Sequence, residues 1–180
     1  MARLITSEGK DVTDFPTIRT RLAKLGISLN AWAAPQSARA KQLLDQKSLN
    51  DAEKEELLGF VENRFEQLKN EKGYVTRDMV VMHEDVPGIG DILNKFNKIH
   101  YHTDDEVRYI LAGRGYFGFV EPEGGQFLLE VTAGDYINVP ANTEHWFELR
   151  DSTRIKAVRY FIDTSGWAPV YTERRMAAFA

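Results

Sequence analysis

From about residue 76 onward the chain is a series of short β-branched and aromatic stretches: "RDMVVMHE", "EVRYILAGRGYFGFV", "GQFLLEVTAGDYINVP", "EHWFEL" and "RIKAVRYF". Gly, Pro, Asn and Asp turns separate them. One brief helix, "IGDILNKFN", interrupts the series. Evenly spaced short strands of this kind close into a sandwich or a small barrel.

Before them, residues 1–75 read mainly as helix. "DFPTIRTRLAKLG" offers Asp14 as a cap, Pro16 in the first turn, Ile18, Leu22 and Leu25 at helical spacing, and Gly26 as a stop. "LNDAEKEELLGFVENRFEQLKNEKG" reads as one helix, with capping-box spacing at Asn50 and Glu53 and Gly73 at its end. Leu57, Val61, Phe65 and Leu68 form one apolar stripe on it, predicting a face packed on the protein's own core. The expectation is a single domain over 1–180: an all-β barrel over 76–172 with the helical layer 1–75 packed on it. At 180 residues and 43% apolar, the chain can bury a core of that kind.

Composition removes several chemistries. There is no cysteine, so disulfides, iron–sulfur clusters and thiol catalysis are excluded. Net charge is −4, from 23 basic and 27 acidic residues, which argues against a nucleic-acid partner. No apolar run has the roughly 20 residues needed to cross a bilayer, and "MARLITSEGKD" lacks the apolar centre of a signal peptide. A cytoplasmic protein without a membrane partner is expected.

The chemistry is concentrated in "IHYHTDDEVRY", which holds two of the four histidines. Side chains alternate along a strand, so His100, His102, Glu106 and Arg108, all even-numbered, share a face if the strand is continuous. Two neutral imidazoles and a carboxylate on one face suit a divalent transition metal, as in non-haem Fe(II) oxygenases. The plainer reading of His-x-His alone is a solvated pair on a strand exterior. Asp104 and Asp105 compete with Glu106, although Asp105 has the wrong parity and Asp104, of the right parity, lies so close that the geometry would be tight. A third histidine, His145, follows a tight reversal at "PANT" in "GDYINVPANTEHWFEL". His83, in "VVMHED", has no ligand-like spacing and reads as a hydrogen-bonded structural or surface residue.

Together these two segments resemble the paired motifs of the cupin family. In the first, G-x5-H-x-H-x3/4-E-x6-G, His100, His102, Glu106 and Gly113 match, and Asn94 stands in place of the leading glycine. In the second, G-x5-P-x-G-x2-H-x3-N, Gly134, Pro140 and His145 match, whereas Asn142 replaces glycine and Leu149 replaces asparagine. Asparagine tolerates left-handed backbone, so the turn at Asn142 can survive. The resemblance implies a jelly-roll β-barrel in which His100, His102, Glu106 and His145 are the metal ligands.

More closely, "EKGYVTRDMV", "HYHTDDEVRY", "VPANTEHWF" and "AVRYF…GWAPVYT" resemble the acireductone dioxygenase family of methionine salvage. That resemblance implies one Fe(II) or Ni(II) held octahedrally by the four ligands, with two positions left for water or substrate. It implies Arg108 as the catalytic cation that neutralises the substrate anion, and Phe96 and Phe147 as pocket residues binding substrate, with Arg159 and Trp167 nearby. The implied reaction joins acireductone and O2. With Fe(II) the products are formate and 4-methylthio-2-oxobutanoate; with Ni(II) they are formate, carbon monoxide and 3-methylthiopropanoate. A monomer is the family-like expectation. Two rival readings stand beside this one: a different metal-dependent cupin enzyme, such as another dioxygenase or a sugar isomerase, and a cupin that only binds a small ligand.

Overall fold

One strand, β6 (Glu106–Val120), belongs to two sheets at once. Its first half lies between β8 (Asp135–Val139) and β10 (Ile155–Phe161), and its second half between β7 (Gln126–Thr132) and β9 (His145–Glu148). All these pairings are antiparallel. The computed structural model describes residues 1–163 and 168–179.

The sheet built on the first half continues through β4 (Thr76–Met82) beside β10 and β3 (Ser28–Ala31) beside β8. The other runs outward from β9 through β5 (His100–Tyr101) to β11 (Val170–Tyr171). On its far side it runs from β7 to β1 (Arg3–Thr6) and β2 (Asp11–Val12). Closing two antiparallel sheets around a shared strand gives the expected jelly-roll barrel.

The bend in β6 falls at Gly113, where φ is +79°. A Cβ there would stand 2.1 Å from the carbonyl oxygen of Arg154, so this position requires glycine on both counts. The neighbouring strand carries a register shift between Lys156 and Ala157. Across the bend the inward face changes parity: Ile110 faces the barrel interior before it, and Phe117 and Phe119 after it. The interior also buries Leu4, Leu129 and Ile137.

Four helices lie in the N-terminal part: α1 (Phe15–Ala23), α2 (Ala38–Asp45), α3 (Asp51–Gly59) and α4 (Glu62–Lys72). Asp14 caps α1 by accepting from the Thr17 amide at 2.9 Å, and Asn50 and Glu53 close a capping box on α3. The single helix expected over α3 and α4 is broken at Phe60 and Val61. Val61 has a non-helical backbone, and i to i−3 hydrogen bonds replace the helical ones there. The stripe survives the break, since Leu57, Val61, Phe65 and Leu68 are all buried. They pack with Val107, Tyr109, Val158 and Tyr160 from the outer face of the sheet, each large side chain contributing about 1.5–3 kcal/mol.

The N-terminal stretch differs from the helical expectation in one respect. It also supplies β1, β2 and β3, which extend both sheets. A further helix, α5 (Ile89–Phe96), bridges β4 and β5 as anticipated, with no residue fully buried. Among the described residues no helix is long and apolar enough to cross a membrane.

Candidate metal centre

Strands β5 and β9 pair through a single register match, His100 opposite His145. The chain leaves β5 after Tyr101 and enters β6 at Glu106, so the predicted continuous strand does not exist. The four side chains converge nonetheless: one ligand atom from each of His100, His102, Glu106 and His145 lies within 4.8 Å of every other. All four residues are buried.

The turn between the strands is tied down from two sides. The Asn142 amide donates to the His102 carbonyl at 2.8 Å, and the Ala141 amide donates to Asp105 Oδ1 at 3.0 Å. Asp105 is therefore a clamp between the two motif segments. Neither it nor Asp104 joins the converging group. Asn142 has φ of 64°, the left-handed backbone that asparagine was expected to accept. Asn94 lies inside α5, where no left-handed backbone is needed and glycine has no advantage. Leu149 packs against the barrel interior.

Backbone carbonyls set the direction of two imidazoles. His100 Nδ1 is 2.6 Å from the Lys98 carbonyl, and His145 Nδ1 is 2.7 Å from the Thr143 carbonyl. Each ring nitrogen must donate there, which leaves the Nε2 lone pair pointing into the centre. His100 Nε2 is buried and has no hydrogen-bond partner among the described residues. Burial, reinforced by the neighbouring His145, pulls the His100 pKa down to about 4, so the ring is neutral.

His145 Nε2 and His102 Nε2 lie 3.0 and 3.1 Å from the same Glu106 oxygen, Oε2. For His145 a lone pair faces a carboxylate lone pair, an arrangement that is repulsive unless a cation or a proton lies between them. Burial alone would raise the Glu106 pKa. The Arg108 charge and the two histidine contacts outweigh burial and hold it well below the usual carboxylate range. Three imidazole nitrogens and one ionised carboxylate fit a divalent transition metal.

Arg108 reaches back from β6 to place Nη2 3.1 Å from Glu106 Oε1, and its Nη1 donates to the Val107 carbonyl at 3.0 Å. Burial lowers its pKa to about 10 against the opposing pull of Glu106, so it stays charged at neutral pH. Arg108 and Glu106 form the polar end of a small pocket. Val80, Met82, Ile110, Phe117 and Ala157 line the rest, together with Phe96 and Phe147 as expected. A charged end in an otherwise apolar pocket suits a small anionic molecule.

Arg159 also lines the pocket, and its Nε donates to Asp78 Oδ1 at 2.7 Å. Asp78 was not anticipated; only its register with Arg159 across β4 and β10 shows the pairing. His83 lies outside the converging group and accepts from the Asp85 amide at 3.3 Å, in keeping with a structural role. Trp167 falls outside the described residues.

A jelly-roll barrel with three histidines and a glutamate gathered inside it defines a metal-binding cupin. Residues 8–169 match the model of the ARD/ARD′ family. The chain is 49% identical to an acireductone dioxygenase of Microcystis aeruginosa, covering 96% of this chain and 94% of that one. It is 48% identical to the same-named enzyme of Leptospira biflexa serovar Patoc, covering 94% of each. A solved acireductone dioxygenase from Bacillus anthracis, with cadmium ion in its active centre, superposes with a TM-score of 0.85 at 31% identity. That match covers 95% of this chain and 98% of the other. The chain belongs to the ARD/ARD′ family.

Proposed function

We propose that this protein is an acireductone dioxygenase of methionine salvage, with His100, His102, Glu106 and His145 holding one Fe(II) or Ni(II). The observation that carries the reading is the convergence of these four buried side chains beside a largely buried Arg108 in an apolar pocket. The names borne by its relatives point to the same substrate. A cytoplasmic monomer completes the reading.

A bound divalent ion would supply a Lewis-acid template able to chelate the two oxygens of a deprotonated enediol. The chain's own groups do the rest. Arg108 presents a fixed positive charge where the substrate carries its negative charge, inside a pocket that excludes most water, so its attraction is strong and needs no reorganisation. Its contact with Glu106 fixes the guanidinium before substrate arrives. Phe96 and Phe147 contribute apolar surface to the substrate pocket. The Lys98 and Thr143 carbonyls keep two imidazoles in the tautomer that presents Nε2.

The test is direct. The purified protein is assayed for bound metal, then loaded with Fe(II) or Ni(II), and loss of acireductone absorbance is followed in the presence of O2. Metal-dependent acceleration, with formate and the 2-oxo acid from the iron form and carbon monoxide from the nickel form, is expected. Decay no faster than without protein, for both metals, would end the reading.

A further inference from the structure

Gly115 and Gly118 in β6 both have ordinary extended backbone, unlike Gly113, so their missing side chains are not explained by chain conformation. Each makes room for an aromatic ring. At Gly118 the ring is that of Trp146, on the outer face of the barrel. At Gly115 it is that of Phe147, on the inner face: a Cβ on Gly115 would stand 2.5 Å from Phe147 Cζ and 2.6 Å from Cε2. The same Cβ would also come within 3.2 Å of Ile155 Cδ1. Phe147 and Ile155 both line the pocket, whereas Gly115 itself does not.

We infer that Gly115 is a specificity-determining residue, whose absent side chain forms a recess that lets Phe147 lie back in the wall and so sets how long an apolar tail the pocket accepts. A ligand whose charged end meets Arg108 must lay its tail along the apolar side of the pocket, among Met82, Phe117, Phe147 and Ile155. Filling the recess evicts the Phe147 ring. Phe117 packs edge-on against Phe147 at 5.1 Å, and the ring's open side is the pocket it lines. The pocket then shortens while its polar end, several residues away on the other side of the bend, is untouched. The inference rests on the dioxygenase reading for the nature of the ligand's polar end, and on geometry alone for the recess.

The experiment compares wild type, Gly115→Ala and the double variant Gly115→Ala/Phe147→Leu. Each is loaded with Fe(II) and titrated without oxygen, by calorimetry, with 2-oxobutanoate, 2-oxohexanoate and 2-oxooctanoate, which offer adjacent keto and carboxylate oxygens. Wild-type affinity is expected to rise with chain length. Gly115→Ala is expected to lose about tenfold for the longest acid and less than about twofold for the shortest. The smaller leucine at position 147 is expected to restore the long-chain affinity. Equal losses at every length, no loss at any length, or no binding to wild type overturns the inference. Should Gly115→Ala fail to fold, Phe147→Trp enlarges the same ring with the recess intact and must produce the same length-dependent loss. Turnover of acireductone by wild type is measured alongside: its failure defeats the proposed function, whereas the length dependence of binding decides the role of Gly115.

Discussion

Arg108 and Arg159 stand opposite each other in register on β6 and β10, two cations side by side on the pocket wall. Like charges so placed repel, and the row is balanced by a carboxylate at each end, Glu106 beyond Arg108 and Asp78 beyond Arg159. The two pairs are unequal: Glu106 is buried and Arg108 largely so, while Asp78 is half exposed.

Arg108→Met removes the charge nearest the metal ligands and keeps the chain's bulk. The variant should retain near-stoichiometric metal, because the four ligands are unchanged, and lose about 100-fold in kcat/KM. Metal analysis and steady-state kinetics on one preparation check both halves. Undiminished turnover would show that Arg108 does not touch the reaction.

Asp78→Asn tests the outer end of the row. A partly exposed pair of this kind contributes no more than about 1 kcal/mol, so the melting temperature should fall by only about 2–4 °C. Metal content should not change. A fall of more than about 10 °C would mean that the row is held together at Asp78 rather than at Glu106.

Metal removal should lower thermal stability, since an ion bound only by the native state stabilises it by mass action, by about 4 kcal/mol at a thousandfold excess over Kd. Dialysis against a chelator followed by calorimetry should show the drop, and readdition of Fe(II) or Ni(II) should reverse it. His100→Ala and His145→Ala should melt at the same temperature with or without metal. A metal-induced rise in either variant would mean that the ion sits elsewhere.

The apoprotein should also respond to acid. His100 is held neutral in the fold to about pH 4, whereas the unfolded chain takes up that proton near pH 6.5. A lowered histidine pKa means that the unfolded state binds more protons, so stability is retained above about pH 6.5 and declines as pH falls toward about 4. Urea midpoints of the metal-free protein between these limits measure the slope, and His100→Gln should flatten it.

Two of the left-handed positions, Gly113 and Asn142, should behave differently on substitution. Gly113→Ala meets both a positive φ and the Arg154 carbonyl, so it should cost more than about 2 kcal/mol in urea unfolding. Asn142→Gly should be close to neutral and Asn142→Ala should cost about 1 kcal/mol. A neutral Gly113→Ala would mean that the bend in β6 tolerates another path.

The parity argument that grouped His100, His102, Glu106 and Arg108 named residues that do come together, but by a route the chain does not take. His102 to Asp105 form a bending turn between β5 and β6, and Glu106 and His102 meet across it rather than along one strand. Motif spacing was informative because it encodes that turn as well as the strands. The strands β1 and β3 were missed because "RLIT" and "SLNA" are four residues long and become strands only by lying beside β7 and β8. Such pairing depends on residues more than a hundred positions away and leaves no local signature. The helix break at Val61 escaped notice because the apolar stripe runs through it without interruption. Asp78 and Gly115 act through cross-strand neighbours, so they become visible only once register is known.

The two imidazoles that face each other across β5 and β9 take their aim from main-chain oxygens at Lys98 and Thr143. Codon changes swap side chains and leave peptide carbonyls in place. The tautomers are thus insured against point mutation, and genetic drift at positions 98 and 143 can proceed without re-aiming a single ligand, provided the loop backbone keeps its path.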